Sequence, residues 1–272
     1  MTKNLDKEGL RVIADDYDLF YIDLWGVIHN GIKLHQQAIL TINQILKIKK
    51  HFVLLTNAPR PNEAVRVFLE KMGLEKKIRD HVFTSGEAAL NYLKKNYPTE
   101  KFYHIGPPRD FDLCNDFKKN QSKNLDKSEY FLCTGLFDNH DSDLNYYREL
   151  LEKYTNKKMI CTNPDLIVDR GKKRELCAGS VAMVFEKLGG KVIYFGKPYP
   201  EVYNQSFDNN GKKILSIGDN LNTDIKGANL LNYDSLLISN GIHKNEIKNY
   251  GVKKVCSEYE SVVNFIQTEL KW

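Results

Sequence analysis

The chain of 272 residues is 42% hydrophobic and 28% charged, with a formal net charge of +5 at pH 7. This length predicts one large or two modest domains, and no apolar stretch approaches the roughly 18 residues of a membrane-spanning helix. The lysines are scattered along the chain, which argues against a nucleic-acid partner.

The N-terminal sequence MTKNLDKEGL has no apolar segment typical of a signal peptide, so we expect a cytoplasmic protein without a membrane partner. The five cysteines include no CxxC pair and are expected to be reduced thiols.

The first elements alternate between strand and helix. An apolar run at 20–24 predicts a strand, and apolar residues at helical spacing follow it at 38–46. A second run at 52–55 is followed in the same way by a helical pattern at 64–72. Because neither run alternates with polar residues, both are typical of parallel strands that are covered on both faces.

The pattern returns in the last third of the chain, in the strand-like runs VIYF (192–195), KILSIG (213–218) and SLLIS (235–239). The intervening segment is more polar, with a helical pattern at 144–154 among short apolar runs at 101–105, 130–136 and 158–161. We therefore predict an α/β protein with a Rossmann-like parallel-sheet core and a large inserted α/β cap domain. The core is expected to be discontinuous, 1–85 with 189–272, and the cap to span 86–188.

Polar side chains follow the predicted core strands. In open parallel sheets, residues at the carboxyl ends of separate strands can converge on one ligand. Each of these residues alone could be a helix cap, a turn residue or a surface lysine. Together they supply carboxylates for a hard cation, a hydroxyl, an amide and a lysine, which suits Mg²⁺-assisted phosphoryl transfer. The residues are Asp23, Thr56, Asn57, Lys197, Asp219 and Asp224.

Four short motifs occur in order along the chain: DLWGV (23–27), LLTNAPR (54–60), GKP (196–198) and GDNLNTDI (218–225). With these motifs the sequence resembles the haloacid dehalogenase superfamily over essentially its whole length. The predicted cap carries TNPD (162–165), which is similar to the substrate-facing loop of one subgroup. That subgroup, called class IIA, has a large α/β cap between the second and third motifs and includes the N-acetylglucosamine-phosphate, nitrophenyl-phosphate and pyridoxal-phosphate phosphatases.

The resemblance implies a hydrolase acting on a small phosphorylated metabolite through an aspartyl-phosphate on Asp23. Mg²⁺ is the implied cofactor. The implied metal ligands are Asp23, the main-chain carbonyl of Trp25, and Asp219, with Asp224 supporting the site from close by.

The resemblance also implies residues for substrate. Thr56, Asn57 and Lys197 are expected to bind the transferring phosphoryl group, Lys197 also acting in catalysis. Asn163 and Asp165 are expected to reach the leaving group, and Asn220 to line the same cavity. Caps of this subgroup often contribute to dimer contacts, so a homodimer is left open.

Trp25 departs from the family pattern. Phosphatases of the family carry there a second aspartate, which protonates the leaving oxygen and later activates water, whereas indole is neither a general acid nor a base. Three interpretations remain open. The chain is a phosphatase-like hydrolase with another acid or a good leaving group, such as an acyl or aryl phosphate; a phosphate-binding or regulatory protein with little turnover; or a dehalogenase. The retained pair Asp219 and Asp224 disfavours the dehalogenase.

His29 is the nearest titratable residue after Trp25. It is a candidate surrogate acid, although a lone histidine after a strand is more often a structural residue. His35 and His243 offer no comparable placement in the sequence.

Overall fold

The computed structural model describes residues 2–170 and 173–272. The chain divides into two compact units. The first comprises Met1–Thr56, Arg66–Phe83 and Tyr203–Trp272, and the second comprises Asn57–Val65 and Thr84–Val202.

Among the described residues, eight strands coincide with the predicted apolar runs to within a few residues at their ends, and five further strands were not predicted. The strands are β1 (Lys3–Asn4), β2 (Leu19–Ile22), β3 (His51–Thr56), β4 (Val82–Thr84), β5 (Phe102–Ile105), β6 (Tyr130–Cys133), β7 (Lys158–Cys161), β8 (Ile167–Arg170), β9 (Lys173–Leu176), β10 (Lys191–Tyr194), β11 (Ile214–Gly218), β12 (Asp234–Ile238) and β13 (Phe265–Gln267).

Helices alternate with most of the strands. They are α1 (Gln36–Lys47), α2 (Asn62–Lys71), α3 (Lys76–Arg79), α4 (Ser85–Asn96), α5 (Leu144–Leu151), α6 (Ala178–Lys187), α7 (Pro200–Ser206), α8 (Lys226–Leu230), α9 (Lys244–Tyr250) and α10 (Val252–Glu258). Within the described residues, no helix has both the length and the hydropathy that crossing a bilayer requires.

The first unit is built on a seven-stranded sheet with the order β1-β13-β12-β11-β2-β3-β4. The pairs around its centre are parallel, as predicted from the uninterrupted apolar runs. All four residues of β2 are buried, and α1 buries the stripe Ala38, Ile42 and Ile45. β2 is paired with β11 so that Ile22 lies beside Ile217, and the residues that follow both strands therefore leave the sheet side by side.

The second unit contains a four-stranded parallel sheet with the order β10-β7-β6-β5 and a separate hairpin of β8 and β9. Its core includes Phe131, Tyr147, Met159 and Phe185. The N-termini of α4 and α5 are capped, because Thr84 accepts from the main-chain N–H of Glu87 and Asp143 caps the first turn of α5.

One strand differs from the sequence interpretation. The predicted division places the run VIYF in the core, whereas β10 pairs in parallel with β7 in the four-stranded sheet. A four-residue apolar run indicates a strand but carries no information about which sheet it joins, since pairing is decided by tertiary contacts. The wider division into 1–85 with 189–272 and 86–188 stays a prediction.

Candidate active site

Three carboxylates converge in the first unit. Asp23 follows β2, Asp219 follows β11, and Asp224 lies in a single π-helical turn, Leu221–Ile225, that precedes α8. One carboxylate oxygen from each lies within 4.8 Å of the others, and all three residues are buried. The strand register explains this, because the main-chain N–H of Asp23 donates to Ile217 O at 2.9 Å.

Three glycines make room for these carboxylates. A Cβ at Gly26 would lie 2.1 Å from Asp219 Oδ2, and one at Gly241 would lie at the same 2.1 Å. A Cβ at Gly218 would lie 2.0 Å from Asp224 Cγ. Gly26 also has a φ of +85°, which side chains other than glycine rarely adopt. Any larger residue at these three positions would therefore displace a carboxylate.

The cluster has the electrostatic character of a cation site. Three buried negative groups repel one another, and burial adds a desolvation cost. Main-chain N–H groups offset part of this cost, since Ile242 N donates to Asp219 Oδ2 at 2.9 Å and Asn220 N to Asp224 Oδ2 at 3.2 Å. Carboxylate oxygens are the ligands that Mg²⁺ prefers, so the donor set fits this ion.

Trp25 lies in a tight turn that follows Asp23. Main-chain bonds close this turn from Gly26 N to His29 O at 2.8 Å and from His29 N to Leu24 O at 3.0 Å. The indole packs over Gly31, where a Cβ would lie 2.6 Å from Trp25 Cη2. It also makes an edge-to-face contact with the His29 ring, with 5.0 Å between the ring centroids. The indole is thus packed against Gly31 and His29, which follow it closely in the sequence.

His29 has the environment of a structural residue. It is 3% exposed, and its Nδ1 accepts from Gly31 N at 3.0 Å. Burial, with a smaller contribution from the charge of His35, lowers the pKa of His29 to about 4. The ring is therefore neutral at pH 7, and an imidazolium general acid would be scarce there. This weakens the case for His29 as a surrogate acid.

In the second unit, Asn57 binds the main chain of Lys197 on both sides of that residue. Asn57 Oδ1 accepts from Lys197 N at 2.7 Å, and Asn57 Nδ2 donates to Lys197 O at 3.0 Å. The same Nδ2 donates to Asp165 Oδ1 at 3.2 Å. Asn57 and Lys197 are 4% and 3% exposed, so this arrangement is buried.

The predicted substrate-facing loop is attached to the same place. Asn163 Oδ1 accepts from Asp165 N at 3.0 Å, which shapes the loop as an Asx turn. Ser85 Oγ donates to the carbonyls of Thr162 and Ala58. Asn163 Oδ1 and Asp165 Oδ1 thus both accept hydrogen bonds that hold the loop in place. Contact of these two residues with a leaving group stays a prediction.

The remaining predicted residues lie at the ends of strands. Thr56 is the last residue of β3 and is 8% exposed. Asn220 caps the π-helical turn, its side chain accepting from Asn222 N at 2.9 Å. The roles of Thr56, Asn220 and the Trp25 carbonyl stay predictions.

Sequence reasoning missed the segment 241–243. Gly241 and Ile242 both contact Asp219, and His243 Nε2 accepts from Leu221 N at 3.2 Å. The available signal was position alone: the segment follows β12, which is paired with β11 and ends at the same edge of the sheet.

Comparisons with known proteins identify the family of the chain. A family model described as haloacid dehalogenase-like hydrolase matches residues 20–119, and a HAD-hydrolase-like model matches residues 194–259. Together these matches cover more than half of the chain. No curated protein matches the sequence. The chain belongs to the haloacid dehalogenase-like hydrolases.

Solved structures share the fold over nearly the whole chain. A haloacid dehalogenase-like hydrolase from Brucella suis is 28% identical, with a TM-score of 0.80, and the alignment covers 97% of this chain and 99% of that one. A p-nitrophenyl phosphatase from Archaeoglobus fulgidus is 17% identical, with a TM-score of 0.73 and coverage of 93% and 97%. A glycerol phosphate phosphatase from Mycobacterium tuberculosis, in complex with magnesium, is 21% identical, with a TM-score of 0.70 and coverage of 95% and 77%.

Proposed function

We propose that this protein is a Mg²⁺-dependent phosphatase that hydrolyses a small phosphorylated metabolite with Asp23 as the nucleophile. The observation that carries the proposal is the cluster of three buried carboxylates, in which Asp23 directly follows β2. Such a cluster is costly without a cation, and it is suited to Mg²⁺ together with phosphate oxygens. The glycerol phosphate phosphatase from Mycobacterium tuberculosis, which has the same fold, was solved in complex with magnesium.

The proposed reaction has two steps. A carboxylate oxygen of Asp23 forms a bond to phosphorus while the bond from phosphorus to the leaving oxygen breaks, giving an aspartyl-phosphate and an alkoxide, phenolate or carboxylate. Water then attacks phosphorus and passes a proton to a phosphate oxygen or to solvent, the P–O bond to Asp23 breaks, and Asp23 is regenerated with release of inorganic phosphate. When bound, Mg²⁺ would offset the charge on the phosphoryl group. Asp23, Asp219 and the Trp25 carbonyl would hold it, with Asp224 supporting them.

Trp25 restricts the substrate in this proposal. The indole supplies no acid for the leaving oxygen, and His29 is neutral at pH 7 because burial lowers its pKa to about 4. A general acid is worth roughly 10² to 10⁴ in rate, most where the leaving group is a poor one. Acyl and aryl phosphates, which leave as stabilised anions, are therefore the preferred substrate classes.

The carboxylate cluster and the absence of an acid at position 25 together support a second candidate function. A protein with the carboxylate cluster but without an acid at position 25 could bind phosphate and Mg²⁺ and regulate a partner with little turnover. The two functions differ in turnover of activated phosphates, which the first requires and the second does not.

Other sequence expectations are part of the proposal. Residues 86–188 act as the specificity cap, with Asn163 and Asp165 near the leaving group. Thr56, Asn57, Lys197 and Asn220 act on the substrate, and the protein works in the cytoplasm as a monomer or homodimer without nucleic acid or membrane.

The test is a screen of alkyl, aryl and acyl phosphates with Mg²⁺, run in parallel on the parent and on Asp23→Asn. We expect turnover of aryl or acyl phosphates by the parent, and a ³²P label trapped on Asp23 alone. Label on another residue, or full activity of Asp23→Asn, would exclude the covalent mechanism. Phosphate binding without turnover of any activated ester would favour the regulatory function.

A further inference from the structure

The segment Gly241–Ile242–His243 holds the carboxylate-bearing loop 219–224 at two points. The first point is Asp219, whose Oδ2 accepts from Ile242 N at 2.9 Å and for which Gly241 leaves space. The second point is the main chain of Leu221, which lies between Asp219 and Asp224. Its N–H belongs to the first turn of the helix, where no intrahelical acceptor exists, and it donates instead to His243 Nε2 at 3.2 Å.

The His243 ring is oriented by a second set of contacts. Its Nδ1 lies 2.7 Å from Glu246 Oε2, and Tyr259 OH donates to that same oxygen at 3.2 Å. The Tyr259 ring also packs edge-to-face on His243, with 4.7 Å between the centroids. Since Nε2 accepts from Leu221, Nδ1 carries the proton and donates to Glu246. This fixes the tautomer and the ring plane.

The arrangement is that of an outer-shell partner, which touches no substrate but determines where the ligands lie. The His243 side chain is 7% exposed, whereas that of Glu246 is 45% exposed. The histidine is thus enclosed beside the loop, while the carboxylate that orients it is within reach of solvent and can be changed with little effect on packing.

We infer that His243, oriented by Glu246, is a positioning residue that holds the Leu221 N–H and so keeps Asp219 and Asp224 in the arrangement that binds Mg²⁺. The inference rests on the proposed function for its metal. It assigns a role in metal affinity to a residue outside the recognised motifs of the chain, and it requires no chemical step at the imidazole.

The variants separate this role from general stability. His243→Leu replaces the acceptor with an apolar side chain of moderate size, and Glu246→Ala removes the carboxylate that orients the ring and that also accepts from Tyr259 OH. His243→Gln can restore an acceptor for Leu221 N–H. The matched control is His104→Leu in the second unit, because His104 is also a buried histidine with a hydrogen bond, to Thr134 Oγ1 at 2.8 Å.

Two measurements are made on each protein. Isothermal titration with MgCl₂ in the absence of substrate gives the Mg²⁺ Kd, and amide hydrogen exchange of the metal-free protein reports protection of Leu221. We expect His243→Leu to raise the Kd by roughly 10- to 100-fold, the range for outer-shell partners of metal sites, and Glu246→Ala to raise it less. Both variants should speed exchange at Leu221. His243→Gln should recover part of the affinity, and His104→Leu should keep the parent Kd even if it is less stable.

The outcomes are distinct. A folded His243→Leu that binds Mg²⁺ with the parent Kd overturns the inference, whatever its exchange rate. If His243→Leu does not fold, Glu246→Ala decides, and a Kd equal to that of the parent overturns the inference in the same way. If the parent itself binds no Mg²⁺, the proposed metal site fails and the positioning role fails with it. A parent that binds Mg²⁺ without hydrolysing any phosphate contradicts the proposed turnover alone and leaves the positioning role supported by the Kd values.

Discussion

The amide of Asn57 donates to the carboxylate of Asp165 at 3.2 Å, although 108 positions separate the two residues in the sequence. The same nitrogen donates to Lys197 O, so one side chain connects the turn after β3, the TNPD loop and the residue that follows Gly196. A Cβ at Gly196 would lie 2.6 Å from Asn57 Oδ1, which shows how closely the segments approach. Asn57 therefore organises its surroundings through its side chain.

The first prediction tests this contact by exchanging its partners. Asn57→Asp would place a carboxylate against that of Asp165 and against Lys197 O, so we expect a loss of about 1–3 kcal/mol in the free energy of unfolding. Asp165→Asn keeps an acceptor and should cost less. In Asn57→Asp with Asp165→Asn, the new amide can donate to the new carboxylate, and part of the loss should be recovered. The parent, the two single variants and the double variant form a double-mutant cycle, measured by urea unfolding and by kcat/KM. Additive effects of the two changes would argue against a direct interaction.

The second prediction concerns the carboxylate cluster. Asp219→Asn removes one of three neighbouring negative charges but keeps an acceptor for Ile242 N, so the metal-free variant should have a Tm equal to or above that of the parent. The increase in Tm on adding MgCl₂ should be largely lost, because a ligand that binds only the folded state stabilises it according to its affinity. Glu149→Gln, at an exposed position of α5, is the matched charge control. An undiminished Mg²⁺-induced shift in Asp219→Asn would exclude Asp219 as a ligand.

The sequence was sufficient to predict the meeting of Asp23 and Asp219. Both follow apolar runs typical of buried parallel strands, and parallel strands bring their carboxyl ends to one edge. The role of His243 could not be predicted in this way, because its contact with Leu221 depends on how the chain turns after β12. The attachment of Asp165 to Asn57 is similar. It joins residues far apart in the chain, and no local pattern specifies such a pair.

Strand β10 illustrates a second limit. Its apolar run predicts a strand correctly, yet the same run would suit either sheet, and three of its four residues are only partly buried. Trp25 illustrates a third. The sequence shows that an acid is missing at this position, but the packing of the indole on Gly31 and His29 depends on the main-chain bonds of the turn.

The third prediction is a pH dependence of stability in the second unit. Burial lowers the pKa of His104 from its ordinary value of 6.5 to about 4. In the unfolded chain this histidine binds a proton as the pH falls below about 6.5, whereas in the folded protein it stays neutral until about 4. Its contribution to the free energy of unfolding should thus be constant above pH 6.5 and fall by up to about 1.4 kcal/mol per pH unit between these values.

The comparison with His104→Gln isolates this contribution. The variant loses packing and is expected to be less stable at pH 7.5, but its glutamine does not titrate. The difference in free energy of unfolding between parent and variant should narrow as the pH is lowered from 6.5 towards 4, measured by urea unfolding in Mg²⁺-free buffer. A difference that stays constant over this range would mean that folding does not lower the pKa of His104.

The last prediction concerns the introduction of a general acid at position 25. Trp25→Asp should place a carboxyl group at the position where phosphatases of the family carry one, and should raise phosphatase turnover most for alkyl phosphates, whose leaving groups need a proton. The gain should fall below the roughly 10² to 10⁴ of full general acid catalysis, because removing the indole exposes Gly31 and leaves a cavity beside His29. Circular dichroism and Tm verify folding, and kcat on an alkyl and an aryl phosphate is compared at equal Mg²⁺.

The substitution His29→Asn, made in the parent and in Trp25→Asp, tests the neighbouring ring. Since His29 is neutral at pH 7, His29→Asn should change stability while leaving the ratio of alkyl to aryl turnover unchanged. A folded Trp25→Asp that is no faster on the alkyl ester would mean that the identity of residue 25 does not limit hydrolysis, and a ratio altered by His29→Asn only in the parent would identify His29 as the acid.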